Sequence, residues 1–162
     1  MSSLQEIDTE RIALAGHSVG GMTALLYTPT DPRIKALVAQ SPASIFDEMP
    51  ATEKQFRAEW KRQGFRIFDI GGKEMRVNST YLENGLKFNV YSTAEKILCP
   101  LLVYHGDEDE MIPLAQSLEL KKHLKLSDEF VIIEGADHCY KKNNTLPQAT
   151  ELLVQFIKKH LR

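Results

Sequence analysis

Arg11-Ile12-Ala13-Leu14-Ala15-Gly16-His17-Ser18-Val19-Gly20-Gly21-Met22 is the stretch whose reading decides the fold. Residues 11–15 are a short apolar run, which predicts a strand, and they lead straight into the pattern G-x-S-x-G. A helical stretch follows, with Met22, Leu25 and Leu26 at spacings of three and four. Thr28-Pro29-Thr30-Asp31-Pro32 ends it, because proline has no amide to donate and clashes with the preceding turn. A second apolar run, Ile34-Lys35-Ala36-Leu37-Val38-Ala39, stops at Gln40-Ser41-Pro42. Strand, helix and strand within about 30 residues is the size of one βαβ unit.

The same rhythm returns near the end of the chain. Pro100 to Tyr104 predicts a buried strand, Pro113 to Leu124 a helix, Phe130 to Ile133 another buried strand, and Pro147 to Leu161 a final helix. Leu152, Leu153, Phe156, Ile157 and Leu161 form the apolar stripe of that helix, with Thr145 or Asn144 as its expected cap. Alternation of strands and helices argues for an α/β class: a parallel sheet flanked by helices on both faces. Residues 43–98 read differently. Thr52-Glu53-Lys54-Gln55 fits a capping box, Phe56 and Trp60 share one helical face, and Gly64 is placed to end that helix with a positive φ. Phe65–Ile70 and Lys73–Val77 partly alternate around Gly71-Gly72, which predicts a small hairpin.

The chain has 162 residues, enough for one domain of ordinary size. At 43% hydrophobic and 26% charged residues it can bury a core and is not disordered. Its net charge is −2 and no Lys/Arg run forms a basic stripe, so nucleic acid is not an expected partner. No window approaches the roughly 18 consecutive apolar residues of a membrane span, and Met1 to Glu6 has no export-signal pattern. Cys99 and Cys139 are too few for a disulfide framework or a cysteine zinc site. Two free thiols point to a reducing, cytoplasmic location.

In a G-x-S-x-G turn between strand and helix, the serine occupies a strained position and its neighbours must be small. Gly16, Gly20 and Gly21 meet that need, and the Val19 amide at the helix start can face a developing oxyanion. The alternative is a glycine-rich turn with an incidental serine. A serine hydroxyl is a weak nucleophile without a base, and the base needs an acid to orient it. His138, in Gly135-Ala136-Asp137-His138, follows the strand ending at Ile133-Glu134, on the sheet edge expected for Ser18. Asp109 follows the strand 101–104, in His105-Gly106-Asp107-Glu108-Asp109-Glu110-Met111-Ile112-Pro113. The chain order is then Ser, Asp, His.

With these three motifs in order, the chain from Arg11 to Arg162 resembles the α/β-hydrolase superfamily. Within it, Ile133 to Tyr140 and the acid loop look most like the bacterial cinnamoyl/feruloyl esterases and related serine-peptidase-like hydrolases. The resemblance implies Ser18 as nucleophile, Val19 as an oxyanion donor, Asp109 as orienting carboxylate and His138 as general base. The expected reaction is cleavage of a small carboxylic ester through an acyl-enzyme, without cofactor or metal. A catalytically impaired fragment or split subunit that needs a partner, and a peptidase or acyltransferase, are the other readings.

Asp107 is an alternative acid, but the family pattern puts the carboxylate four positions after His105. The acidic run 107–110 is otherwise a solvated loop or, less simply, a calcium site. Asp137 is expected to fix its own loop through an Asx-type hydrogen bond. His17 and His105 are expected to be structural, with His17 also a candidate substrate contact. Of the 13 aromatic residues, 8 fall between Phe46 and Tyr91. In the resembled family an insertion at this point caps the active site, so Trp60, Phe65 and Tyr81 are candidate substrate contacts; the other reading is that they are core. Family members also place strands before the elbow, whereas 17 residues precede Ser18 here. The expectation is therefore a partial α/β-hydrolase domain without its N-terminal strands, 1–162, with 43–98 as a cap-like insertion. It would leave the elbow strand as an open edge for self-association or a partner chain.

Overall fold

The computed structural model describes residues 8–50, 54–69 and 72–161. Four strands, β1 (Ile12–His17), β2 (Ile34–Gln40), β5 (Leu101–Gly106) and β6 (Glu129–Ile133), form one parallel sheet in the order β1-β2-β5-β6. Register pairs His17 with Gln40 and Gln40 with Tyr104, so the strands finish at a common carboxyl edge. β3 (Phe65–Asp69) and β4 (Glu74–Asn78) make a separate antiparallel hairpin between β2 and β5 in the chain.

Side chains of a strand alternate between faces, and the two central strands bury both sets. Leu37, Ala39, Leu101 and Val103 face a core shared with Met22, Ala24 and Leu25 of α1 (Val19–Tyr27), Ala94 of α4 (Tyr91–Ala94) and Leu120 of α5 (Leu114–Lys121). Ala36, Val38, Leu102 and Tyr104 face the opposite core, closed by Ala149 and Phe156 of α6 (Leu146–His160). Fully burying a leucine such as Leu25, Leu37 or Leu101 is worth about 1.5–3 kcal/mol, which is why these strands read as nearly continuous apolar runs. β1 pairs with β2 alone among the described residues, and its side chains are half-buried or exposed.

Most element boundaries lie within one to three residues of those the sequence predicts, and two helix boundaries have a visible cause for the difference. α5 ends at Lys121 rather than Leu124, because the His123 and Leu124 amides bond three residues back and tighten the chain into turns. α6 begins at Leu146, but Thr145 does not cap it with its side chain: its hydroxyl donates to the Lys142 carbonyl at 3.0 Å, closing the preceding 3₁₀ turn. The expected capping box starts at Thr52 and Glu53, outside the described residues, as is Gly71. α2 (Lys54–Gln63) ends at Gly64, whose φ is +76°, and Gly72 adopts a φ of +81° beside the hairpin.

The insertion divides into two parts. Phe46, Met49, Val90, Ala94 and Ile97 at its ends belong to the main core, while α2 and the hairpin pack on each other. Trp60 is the centre of that small unit: it is buried, its ring lies 5.2 Å from Phe68, and its indole N–H donates to the Val77 carbonyl at 3.1 Å. α3 (Ser79–Gly85) connects the unit to the main body, where Gly85 lies so close to the Phe46 ring that a Cβ would sit 2.0 Å from it.

Candidate active site

Ser18 sits between β1 and α1 with φ +58° and ψ −124°, a backbone state that L-residues avoid. Three hydrogen bonds hold it there: its N–H donates to the Gln40 carbonyl at 2.9 Å, and its carbonyl accepts from Met22 N at 3.2 Å and Ala43 N at 3.1 Å. A Cβ on Gly16 would lie 2.2 Å from the Gly20 carbonyl oxygen, and one on Gly21 would lie 2.9 Å from Pro42 Cβ. Gly20, expected to be small for the same reason, has open space where its Cβ would be, so its side is not constrained by packing. Val19 opens α1, and its N–H is one of the amides that no carbonyl within the helix can satisfy.

The loops after β5 and β6 bring Asp109 and His138 together. His138 Nδ1 donates to Asp109 Oδ2 at 2.7 Å, and both side chains are almost wholly buried. Asp109 Oδ1 accepts the Met111 and Ile112 amides at 2.9 and 2.8 Å. Burial alone would push this carboxyl up; hydrogen bonds from His105 and His138 and from the Ile112 amide outweigh it and hold the group well below the usual carboxylate range. Asp107 has a different task, accepting the Gly135 amide at 2.6 Å and so tying the acid loop to the histidine loop. The two loops touch again where Gly106 meets Ala136, since a Cβ there would lie 2.2 Å from the Ala136 carbonyl oxygen. Lys142 and Glu108 add an ion pair across them. Asp137 accepts the Lys141 and Lys142 amides at 2.6 and 3.2 Å; it fixes its own loop, but through bonds four and five residues on, not the Asx-type bond expected of it.

His17 packs its ring 4.6 Å from that of His138, and its Nε2 donates to the His138 carbonyl at 2.8 Å. Burial lowers the His17 pKa, against the opposing effect of its bond to the His138 carbonyl. The Ser18 hydroxyl makes no hydrogen bond to His138 among the described residues; such contacts often close only when substrate binds. No group of three or more His, Cys, Asp or Glu side chains among the described residues is placed to hold a metal ion. No described helix is long and apolar enough to cross a membrane.

A cavity of about 470 Å³ begins at Val19 and runs along α1, walled by Met22, Leu26, Phe46, Tyr81 and Phe88. Tyr81 is thus the candidate aromatic that shares a cavity with the elbow. Trp60 and Phe65 line another, of about 290 Å³, inside the insertion. The structure does not bring these two to the elbow, because the buried indole serves the α2–hairpin core and Phe65 stacks under Arg76 at 4.0 Å.

Three residues near the site were given no role by the sequence, although one of them, Tyr140, closes the histidine-loop motif. Tyr140 is buried with φ +59°, and its hydroxyl meets Ser41 Oγ at 2.8 Å. Ser41, itself at φ +37°, follows β2 and donates its N–H to the Tyr104 carbonyl at 2.8 Å. Gln116 accepts the Ser44 and Ile45 amides at 2.7 and 3.1 Å, pinning the start of the insertion to α5.

A strained serine between strand and helix, with a buried histidine–carboxylate pair at the same edge of a parallel sheet, defines an α/β hydrolase. The prolyl oligopeptidase family pattern matches residues 1–162, and the chain belongs to that family. It is 26% identical over 136 residues to YqkD of Bacillus subtilis (strain 168), described as an uncharacterized protein; the match covers 82% of this chain and 43% of that protein. Among solved structures it resembles Est1E from Butyrivibrio proteoclasticus bound to ferulic acid, at 26% identity and a TM-score of 0.71 over 98% of this chain and 62% of that one. The fold also matches a monoacylglycerol lipase of Paleococcus ferrophilus, at 23% identity and a TM-score of 0.75 over 93% of this chain and 69% of that one.

Proposed function

We propose that this chain is the catalytic part of a serine hydrolase that cleaves carboxylic esters, with Ser18 as nucleophile, His138 as general base and Asp109 as orienting acid. The buried 2.7 Å bond from His138 Nδ1 to Asp109 carries the reading. With Nδ1–H committed to the carboxylate, the neutral ring offers the lone pair of Nε2 to the serine proton. As that proton moves to Nε2, Ser18 Oγ bonds to the ester carbonyl carbon and the carbonyl oxygen becomes an oxyanion facing the Val19 amide. Collapse of the intermediate breaks the bond to the leaving alcohol, which takes the proton from His138. Water, deprotonated by the same ring, then releases the acid and restores Ser18.

The cavity beginning at Val19 suits an apolar or aromatic acyl group. The ferulic acid held by Est1E, an aromatic acid, supports the same choice. Pre-steady-state hydrolysis of a p-nitrophenyl ester by the wild type and Ser18→Ala tests the proposal. A burst confined to the wild type is expected, and equal rates overturn it.

A second reading, that the chain works with further polypeptide, is favoured by the one-sided pairing of β1. Sedimentation with activity measured across a concentration series tests it: specific activity should rise with self-association. A monomer of constant, full activity overturns this reading.

A further inference from the structure

His105 is the fifth residue of β5 and its side chain is completely buried. An imidazole in such a place costs free energy relative to an apolar side chain unless each nitrogen is satisfied. Both are: Nδ1 lies 2.7 Å from Ser117 Oγ, and Nε2 lies 3.0 Å from the Ile112 carbonyl and 3.2 Å from Asp109 Oδ2. The carbonyl and the ionised carboxylate only accept, so Nε2 carries the hydrogen, and Ser117, whose hydroxyl can give or take, donates to Nδ1. The two acceptors at Nε2 therefore select the tautomer, and Ser117 satisfies the lone pair left on Nδ1.

We propose that His105 is a positioning residue for Asp109: its Nε2–H fixes Oδ2 at the angle from which that oxygen accepts the Nδ1–H of His138. Oδ1 is already held by two backbone amides, which anchor one corner of the carboxylate but leave the group able to pivot. At the second corner Oδ2 accepts from His138 at 2.7 Å and lies 3.2 Å from His105 Nε2, whose hydrogen bond goes to the Ile112 carbonyl. The chain Ser117, His105, Asp109, His138 thus connects α5 to the proposed base, while His17 holds the same base through its main chain. The assignment rests on the proposed triad for its catalytic meaning, but the geometry it asserts can be tested apart from catalysis.

The variants are His105→Phe, which fills the volume without a donor, and His105→Gln, whose side-chain amide can place an N–H near the position of Nε2. In proton NMR, the low-field signal of the His138 Nδ1–H is expected to shift or broaden in His105→Phe and to return toward the wild-type position in His105→Gln. With a p-nitrophenyl ester, kcat of His105→Phe should fall about 10- to 100-fold while KM stays within about twofold, because the base is misaligned and the substrate pocket untouched. His105→Gln should recover most of that loss. Should His105→Phe not fold, Ser117→Ala, which leaves the buried Nδ1 without a partner and so loosens the ring, must perturb the same signal. An unchanged signal in the folded variant overturns the proposal. A shifted signal in a protein whose esterase activity is the same in Ser18→Ala upholds the positioning role and overturns the hydrolase reading instead.

Discussion

Asp109 Oδ2 accepts the Nδ1–H of His138 at 2.7 Å although 28 residues separate the two in the chain, and both side chains are almost wholly buried. A short bond between an anion and a polarised N–H in so dry a setting both orients the ring and stabilises its cation. Replacing Asp109 by Asn removes the charge and lets the ring adopt the other tautomer. Turnover of a p-nitrophenyl ester should fall about 10³- to 10⁴-fold, with KM little changed.

The same carboxylate gives the fold a pH dependence. Its folded pKa is depressed, so its contribution to stability is fully present above the unfolded carboxyl value, about 3.9, and is lost as pH falls through the folded value below it. Chemical denaturation of the wild type and Asp109→Asn should show a constant stability difference above about pH 5 that narrows below about pH 4. A difference that widened with acid would contradict the depressed value.

Ser18 is half-buried and holds a strained backbone. Glycine adopts a φ of +58° without a Cβ penalty, so Ser18→Gly should be inactive yet more stable than the wild type by about 1–3 kcal/mol. Thermal unfolding of the wild type, Ser18→Ala and Ser18→Gly measures it, with only glycine expected to gain.

At Gly106 the acid and histidine loops meet with no room for a methyl group. Gly106→Ala would force the new Cβ against the Ala136 carbonyl and push the loops apart. Ester hydrolysis should drop at least about 10²-fold, through misplacement of His138 against Ser18, and the unfolding midpoint should fall with it. Gly20→Ala, where the added Cβ meets nothing, is the control and should retain most activity.

Tyr140→Phe removes the partner of Ser41 Oγ and leaves that hydroxyl buried without a bond. Stability should decrease by about 1–3 kcal/mol in urea denaturation, while the double variant Ser41→Ala, Tyr140→Phe should be closer to the wild type than Tyr140→Phe alone.

Much of this molecule is legible in its sequence because the relevant signals are local. An apolar run followed by G-x-S-x-G and a helix period places the elbow, and the apolar character of β2 and β5 follows from their burial on both faces. The aromatics of residues 43–98 show where local reading stops. Trp60, Phe65 and Tyr81 look alike as aromatics of one insertion, yet two serve the small α2–hairpin unit and one reaches the cavity beside Val19. Composition cannot distinguish them, since the difference lies in which element packs against which. Thr145 fails as a side-chain cap for a related reason: a preceding 3₁₀ turn claims its hydroxyl first.

The sequence by itself determined the α/β class and the position of Ser18 in a turn between strand and helix, because each depends on residue type at short spacing; Asp109 and His138 as its proposed partners came from the family pattern that the loops resemble. Tertiary structure alone decided that Asp107 ties the acid loop to the histidine loop, that His17 bonds the His138 carbonyl while His105 lies beside Asp109, and that Tyr140 and Ser41 pair at the sheet edge. Those roles belong to hydrogen bonds between residues distant in the chain. A donor or acceptor of fixed chemistry takes its role from whichever partner the parallel sheet sets within about 3 Å of it.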